Sequence, residues 1–262
     1  MGEQTYPLGI DVGGSGIKGA PVDVAAGEFA ADRVRIETPA ASTPENVVEV
    51  IARIAETFAG QTGTHPIGVT VPGVVTRGVV RSAANIDKSW IDADAAGLLR
   101  ARIGRDVTVL NDGDAAGVAE MHFGAGKGVS GTVVMATLGT GIGTAVFVDG
   151  KLVPNTEFGH LELDGHDAES RAANSARERE ELSWGQWARR LQRYFTHLED
   201  LLWPDLIIVG GGVSKKAHKF IPKLDLRTQI IPAVLQNDAG IIGAAWQAVE
   251  DAKVRGLVPA HS

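Results

Sequence analysis

The sequence contains no cysteine among its 262 residues. This absence excludes disulfide bridges, zinc sites with thiolate ligands and a cysteine nucleophile, and it favours a reducing compartment. Aromatic residues are also few, at 5%, whereas 44% of the residues are hydrophobic and 33 are glycine. A chain of this length and composition can bury the core of one large domain or of two domains of ordinary size.

Basic residues are fewer than acidic ones, and the formal net charge is -7 at pH 7. An acidic chain is not typical of a general nucleic-acid-binding protein, although a local basic patch can still bind a polyanion. The first residues include neither the basic nor the apolar segment of a signal peptide, so we expect a cytoplasmic protein. The uncharged run at 131–148 is interrupted by glycine and threonine at 139–143, which favours two strands around a turn over a membrane span.

The order of the predicted elements indicates an α/β protein with two domains that face one cleft. We expect an N-terminal domain over 1–110, joined by a C-terminal helix at 239–250, and a second domain over 111–238. The polar stretch at 164–181 has no periodicity that identifies its structure. Strands are predicted at 6–12, 17–22, 67–71, 79–81, 107–110, 132–138, 144–148 and 206–209, with a β-rich stretch at 29–38, and helices at 44–60, 95–103, 114–123, 184–202 and 239–249.

A glycine cluster follows the first predicted strand and formally matches a dinucleotide fingerprint, Gly14-x-Gly16-x-x-Gly19. The match fails because Pro21 lies where the helix of that motif should run. The alternatives are an ordinary glycine hairpin and a phosphate-binding hairpin, in which backbone amides contact phosphate oxygens and Asp11 faces a hydrated magnesium ion.

Three further segments combine buried strands with groups suited to phosphate or sugar. A second glycine turn, Gly139-Thr140-Gly141, offers a hydroxyl and amides to a donor phosphate. Asn111-Asp112 ends a predicted strand, where α/β sheets present catalytic groups, although an Asx turn before the next helix is the alternative. Gly210-Gly211-Gly212 offers a bare backbone to a nucleotide, or forms a plain loop.

These motifs, in this order, resemble the ROK sugar kinases of the actin and hexokinase superfamily over nearly the whole chain. The segments at 85–90, 203–205 and 227–243 are similar to polyphosphate glucokinases within that family, including the polyphosphate/ATP glucomannokinase type. Many members bind a structural zinc through cysteines, so the resemblance implies that this zinc is absent here. The motifs are Asp11-Val12-Gly13-Gly14, Asn111-Asp112, Gly139-Thr140-Gly141-Ile142-Gly143, Glu157-Phe158-Gly159-His160 and Gly210-Gly211-Gly212.

The resemblance implies an actin/hexokinase-like (ribonuclease H-like) fold and a role for each matching residue. Asp112 would be the general base that takes the proton of the sugar 6-hydroxyl, with Asn111 orienting the sugar. Carboxylate, amide and imidazole groups can bind neighbouring hydroxyls, which independently supports a sugar site. The remaining sugar-binding candidates are Asn85, Glu157, His160, the backbone at Gly73 and, for a second glutamate whose position the motif does not fix, Glu169.

The donor would contact the glycine turns, with Mg²⁺ held through water at Asp11. Two basic groups can bind a phosphate chain: the lysines after the triple glycine, or Arg189, Arg190 and Arg193 within one helical turn. The alternative for both groups is a solvated surface. The donor-binding candidates are Asp11, Gly13, Gly14, Ser15, Lys18, Gly139, Thr140, Gly141, Gly211, Gly212, Lys215, Lys216 and Lys219.

The implied function is transfer of the terminal phosphoryl group of polyphosphate or ATP to the 6-hydroxyl of glucose, with mannose as a second acceptor and a homodimer as the assembly. A kinase for fructose or an N-acetylated amino sugar stays open, because its site would share most of these residues. A sugar-sensing repressor is not expected, since only seven residues precede Leu8 and leave no room for a DNA-binding helix pair. A glycerol-type or acetate-type kinase is disfavoured by the short chain.

Overall fold

The computed structural model describes residues 4–257, which form fifteen strands and eight α-helices. The first elements are β1 (Leu8–Gly13), β2 (Gly16–Asp23), β3 (Glu28–Phe29), β4 (Val34–Ile36), α1 (Pro44–Thr57), α2 (Ala59–Thr62), β5 (Ile67–Val71), β6 (Val75–Thr76), β7 (Val79–Val80), α3 (Ala95–Ile103), β8 (Val107–Asn111) and α4 (Asp112–Phe123). The others are β9 (Thr132–Leu138), β10 (Ile142–Val148), β11 (Lys151–Val153), β12 (Glu162–Leu163), β13 (His166–Asp167), α5 (Ala168–Ala172), α6 (Asn174–Arg179), α7 (Trp184–Leu202), β14 (Leu206–Gly210), β15 (Gln229–Pro232) and α8 (Ala239–Val254).

The chain divides into two compact units. Within the described residues, the first unit comprises 4–119 and 238–257, and the second comprises 120–237. The sequence boundary was placed at 110, so Asn111 and Asp112 lie in the first unit rather than the second. Helix α8 also belongs to the first unit.

The first unit is built on a mixed sheet with the strand order β3-β2-β1-β5-β8, and β4 also pairs with β2. Strands β1, β5 and β8 are parallel, whereas β1 and β2 form an antiparallel hairpin. The register places Asp11 beside Thr70, and Val71 beside Asn111. The carboxyl ends of the three parallel strands therefore meet at one edge of the sheet, the usual place for ligands in α/β folds.

Helix α8 packs directly on the backbone of this sheet. A Cβ atom at Gly9 would lie 2.0 Å from the carbonyl oxygen of Ile241, and one at Gly68 would lie 1.8 Å from that of Ala244. Glycine is therefore required at both strand positions for the helix to approach. Thr108 in β8 adds a hydrogen bond of 3.1 Å to Asp251.

The second unit has a sheet with the order β11-β10-β9-β14-β15, in which β9, β14 and β15 are parallel. The β9–β10 and β10–β11 connections are hairpins, and the second turns at Asp149 and Gly150, both with positive φ. Helix α7 begins with a capping box of Ser183 and Gln186 and buries Trp187 among the core side chains. The two units thus share an antiparallel hairpin that pairs with parallel strands.

Several elements differ from the sequence prediction. The β-rich stretch at 29–38 contains only the end of β3 and the short strand β4, and α4 begins at Asp112 rather than Asp114. The polar stretch at 164–181 forms the turn and second strand of the β12–β13 hairpin, followed by α5 and α6. The triple glycine leads into a 3-10 helix, Gly212–Lys219, rather than a plain loop. Within residues 4–257, no helix combines the length and apolar character needed to cross a bilayer.

Candidate active site

Strand β8 continues into helix α4 without a loop, and this junction holds Asn111 and Asp112. The Asn111 side chain accepts a hydrogen bond of 3.0 Å from the Asp114 amide and donates one of 3.1 Å to the carbonyl of Gly73. Asp112 is exposed, and its Oδ1 accepts the amide of Gly113 at 2.9 Å. The structure therefore brings together Asn111 and Gly73 and presents a carboxylate beside them.

The segment between β5 and α3 contains two of the predicted residues, Gly73 and Asn85. Gly73 is required where it lies, because a Cβ atom there would be 2.1 Å from the carbonyl oxygen of Ser82. Asn85 has a left-handed backbone, with φ of 60°, and its carbonyl oxygen would be 3.1 Å from a Cβ atom at Gly14. Asn85 thus packs against the turn of the β1–β2 hairpin.

The β1–β2 hairpin itself carries Asp11 and Lys18 as cross-strand partners. Asp11 Oδ1 accepts the Thr70 hydroxyl at 2.9 Å, and Oδ2 lies 3.7 Å from Lys18 Nζ. The turn is held by its carbonyls, since the Thr38 hydroxyl donates to Gly13 and Arg35 donates to the carbonyl of Ser15.

Asp11 also fits the predicted magnesium ion. Its side chain is 22% exposed, and each carboxylate oxygen has lone pairs beyond its one protein contact. A single carboxylate that accepts hydrogen bonds from metal-bound water is a usual partner of Mg²⁺ on a phosphate substrate.

In the second unit, the β9–β10 turn at Gly139, Thr140 and Gly141 is fixed by helix α6. Ser175 donates from its amide to the carbonyl of Gly139 at 3.0 Å, and from its hydroxyl to that of Thr140 at 2.5 Å. Among residues 4–257, the amides of Thr140 and Gly141 donate no hydrogen bond. Two amides of a rigid turn are therefore available to an anion.

The motif Glu157-Phe158-Gly159-His160 forms a short 3-10 helix against β10. The amide of Phe158 donates to the Thr144 hydroxyl at 3.1 Å. A Cβ atom at Gly159 would lie 2.0 Å from the carbonyl oxygen of Ile142, so only glycine permits this approach. This close packing places Glu157 and His160 beside β10, the strand that follows the Gly139–Gly141 turn.

Glu157, His160, Asp167 and Glu169 form a polar cluster beside this helix. His160 Nδ1 lies 2.8 Å from Asp167 Oδ2, and its Nε2 lies 3.9 Å from Glu157 Oε2. Glu169 accepts the Ile142 amide at 2.9 Å. The structure therefore brings Glu169 to the two predicted sugar ligands, and adds Asp167, which the sequence analysis missed; its only sequence signal is that of an aspartate preceding a short helix.

The cluster changes the pKa of two of its members. Burial raises the pKa of Glu157, and the charge of Glu169 adds to this against the opposing effect of His160. The hydrogen bond to Asp167 raises the pKa of His160, and the neighbouring carboxylates reinforce this against burial. His160, Asp167 and Glu169 also place one ligand-type atom each within 4.8 Å of one another. The direct hydrogen bond between His160 and Asp167 accounts for this proximity without an ion.

The triple glycine lies next to the β9–β10 turn. Gly211 has a φ of 80°, and a Cβ atom there would lie 2.6 Å from the carbonyl oxygen of Leu138, so glycine is required. Lys215, Lys216 and Lys219 are all exposed, but Lys219 Nζ also lies 5.6 Å from the centre of the Trp184 ring. The three lysines are therefore not equivalent, since Lys219 also contacts helix α7.

The arginines of α7 line a different feature, a cavity of ≈ 410 Å³ between this helix and the β12–β13 hairpin. Arg190 pairs with Glu180 at 2.5 Å, and Arg193 pairs with Asp164 at 2.9 Å, whereas Arg189 is exposed. Two of the three arginines are thus already neutralised by carboxylates.

Comparisons with known proteins agree with this architecture. The family model described as the ROK family matches residues 7–172. A polyphosphate glucokinase from Mycobacterium tuberculosis is 52% identical over 95% of this chain and 93% of its own length.

Two solved structures extend the comparison. The inorganic polyphosphate/ATP-glucomannokinase of Arthrobacter sp. strain KM has 53% identity and a TM-score of 0.89, covering 95% of this chain and all of the other. The ROK hexokinase of Thermus thermophilus has 27% identity and a TM-score of 0.75, covering 94% of this chain and 99% of the other. The resemblance and the actin/hexokinase-like fold predicted from the motifs are confirmed. The chain belongs to the ROK family.

Proposed function

We propose that this chain is a kinase that transfers the terminal phosphoryl group of polyphosphate or ATP to the 6-hydroxyl of glucose. The observation that carries the proposal is the β8–α4 junction, where Asp112 stands exposed beside an Asn111 side chain fixed at both ends. The two relatives at 52% and 53% identity are named for polyphosphate-dependent phosphorylation of sugars, which supports the choice of donor and acceptor.

In the proposed reaction, Asp112 accepts the proton of the 6-hydroxyl as that oxygen forms its bond to phosphorus. The bond between phosphorus and the bridging oxygen of the donor breaks, and the electron pair leaves with ADP or with a polyphosphate shorter by one phosphate. Phosphoryl transfer depends mainly on positioning and on charge stabilisation, so one base and rigid amide-rich turns are sufficient protein groups.

The sugar ligands in this proposal are the residues that the family resemblance implies. Asn111 and the carbonyl of Gly73 orient the sugar next to the base, and Asn85 extends this set. Glu157, His160 and Glu169 accept or donate hydrogen bonds at the other hydroxyls, which the cluster of acceptors around His160 supports.

The donor phosphates are assigned to the two glycine turns. The amides of Thr140 and Gly141 are candidate contacts of the terminal phosphate, and the first hairpin from Gly13 to Ser15, with Lys18, is a candidate phosphate contact in its own unit. Gly211 and Gly212 line the donor, and Lys215 and Lys216 contact a longer phosphate chain. A magnesium ion held through water at Asp11 would neutralise phosphate charge.

The finer points of the proposal follow from the relatives. Mannose is assigned as a second acceptor, because the Arthrobacter enzyme is named as a glucomannokinase. We also propose a homodimer, which the family resemblance implies, and a cytoplasmic location, which the absence of cysteine favours.

A matrix of sugars and donors tests the proposal. Purified protein with Mg²⁺ is given glucose, mannose, fructose or N-acetylmannosamine, each with ATP or long-chain polyphosphate, and the sugar phosphate is measured. We expect the highest kcat/KM with glucose, and activity with polyphosphate. A preference for fructose or the N-acetylated sugar would replace the proposed substrate with the open alternative.

A further inference from the structure

We propose that Asp167 is a positioning residue for sugar binding. One oxygen of its carboxylate holds His160 in a single tautomer, and the other oxygen caps the start of the helix that carries Glu169. The inference rests on the proposed function, because it gives His160 and Glu169 their task as sugar ligands. It adds a residue that the ROK motifs of this sequence do not contain.

The two oxygens of Asp167 make different contacts. Oδ2 lies 2.8 Å from Nδ1 of His160, and Oδ1 accepts the amide of Glu169 at 3.1 Å. An ionised carboxylate only accepts hydrogen bonds, so the proton of this contact belongs to His160 Nδ1. In the neutral imidazole the other nitrogen, Nε2, is then an acceptor with a free lone pair.

That tautomer suits the neighbouring carboxylate. Nε2 of His160 lies 3.9 Å from Oε2 of Glu157, so two acceptors stand side by side. Neighbouring hydroxyls of a sugar can each donate one hydrogen to such a pair. With the proton on Nε2 instead, His160 would present a donor at this position and Nδ1 would face Asp167 without a proton to share.

Asp167 is itself held in place from several sides. It ends β13, where it pairs with Glu162, and it is the N-cap of α5. The Ser170 hydroxyl donates to its carbonyl at 2.6 Å. Glu169, two residues later, is tied to strand β10 through its contact with the Ile142 amide.

A continuous chain of contacts therefore runs from β10 through Glu169 and Asp167 to His160. The His160 side chain is 55% exposed, so without Asp167 few contacts would fix its ring. Where a histidine binds a ligand, a neighbouring residue commonly accepts a hydrogen bond from its other ring nitrogen, which fixes the ring and selects its tautomer.

Three variants separate the contact to His160 from the helix cap. Asp167→Ser keeps a strong N-cap side chain but is too short to reach His160. Asp167→Asn keeps the cap oxygen but presents an amide donor to His160 Nδ1, which favours the Nε2–H tautomer. Asp164→Asn is the matched control, because Asp164 lies in the turn of the same hairpin and pairs with Arg193 instead.

The kinetic measurement compares the change in the glucose KM with the changes in kcat and in the donor KM. We expect Asp167→Ser to raise the glucose KM on the order of tenfold, with kcat and the donor KM near wild type. Asp167→Asn should raise the glucose KM at least as much, and Asp164→Asn should match the wild type. Equal losses in kcat and in both KM values for Asp167→Ser would indicate general structural damage and overturn the proposal.

The direct readout is the ¹⁵N chemical shifts of His160, at a pH where the ring is neutral. The wild type should show the Nδ1–H tautomer, and Asp167→Ser should shift the population toward Nε2–H. An Nε2–H wild type overturns the proposal even if the protein phosphorylates no sugar. If the protein is an active kinase and Asp167→Ser leaves its glucose KM unchanged, the proposed role of Asp167 is wrong, while the proposed function still stands.

Discussion

Asp112 is a short side chain at a point where the backbone has little freedom. It is the first residue of α4, and the residue before it is bonded both to Asp114 and to the loop after β5. The position is therefore set by the junction of strand and helix, and the chemistry by the carboxylate alone. This separation allows the role of the group to be tested without disturbing the fold.

Asp112→Asn should abolish most turnover while leaving the protein folded and able to bind glucose. The amide has the same shape but cannot take up the hydroxyl proton, so we expect kcat to fall on the order of a hundredfold or more. Steady-state kinetics, with calorimetric titration of glucose, measures both quantities. A variant with the wild-type kcat would remove Asp112 from the role of base.

Glu157→Gln should weaken glucose binding in a way that depends on pH. A charge-assisted hydrogen bond becomes a neutral one, which costs about 1–2 kcal/mol, so the glucose KM should rise roughly tenfold in alkaline buffer. Burial raises the pKa of Glu157, so its carboxylate is present above that pKa and becomes protonated as the pH falls through it. The ratio of variant to wild-type KM should therefore shrink toward one as the pH falls through this raised pKa, because the wild-type side chain then becomes neutral as well. A ratio that does not change with pH would contradict the assignment.

At the scale of elements, close approach of backbones decides where the motifs lie. The 3-10 helix with Glu157 and His160 reaches β10 only because residue 159 has no side chain, and α8 reaches the first sheet across Gly9 and Gly68. Glycine in these places is a packing requirement rather than a source of flexibility.

Gly159→Ala should therefore displace the Glu157 motif. The added methyl group would meet the Ile142 carbonyl at 2.0 Å, so we expect lower thermal stability and a higher glucose KM. Gly185→Ala is the control, because nothing lies within 4 Å of a Cβ atom at that helical position. The control should be neutral or slightly stabilising, since alanine favours helix. Equal melting temperatures and KM values for the two variants would show that the motif is not held by this contact.

The predictability of each element from sequence followed the strength of its local signal. Apolar runs such as 67–71 and 132–138 predicted β5 and β9. The helix predicted at 44–60 corresponds to α1, which begins at Pro44 and is capped by Thr43, whose side chain accepts the Asn46 amide. The stretch at 164–181 gave no such signal, because its hairpin and two short helices are stabilised by contacts to distant residues. The bond from Asp167 to His160 is one of these, and it is visible only in the fold.

The candidate site was predictable to a similar extent. The Asn111-Asp112 pair and the two glycine turns were identifiable because each follows a buried strand. Glu169 could be named but not placed, since its contact to the Ile142 amide depends on how α5 packs against β10. The three lysines after the triple glycine looked alike in sequence, and only the fold separates Lys219, which contacts Trp184, from the other two.

At the scale of the whole molecule, a long polyanionic donor is expected to use surface charge that ATP does not need. Lys215→Ala with Lys216→Ala should lower polyphosphate-dependent activity more than ATP-dependent activity, because a long chain contacts several cations at once. Added salt should have the same selective effect. The double variant at Lys127 and Lys151, which are also exposed, makes an equal change of net charge. If both double variants change the ratio of the two activities equally, these lysines do not guide the donor.

The central claim is that the 6-hydroxyl of glucose attacks the terminal phosphorus of polyphosphate or ATP. Glucose labelled with ¹⁸O at position 6 tests it directly, because the label stays in the new phosphate ester only if that oxygen is the nucleophile. We expect ³¹P NMR to show glucose 6-phosphate with the isotope shift of a bridging ¹⁸O, formed from polyphosphate or ATP in the presence of Mg²⁺. Release of inorganic phosphate without a labelled ester, or a phosphate ester at another oxygen, would contradict the account.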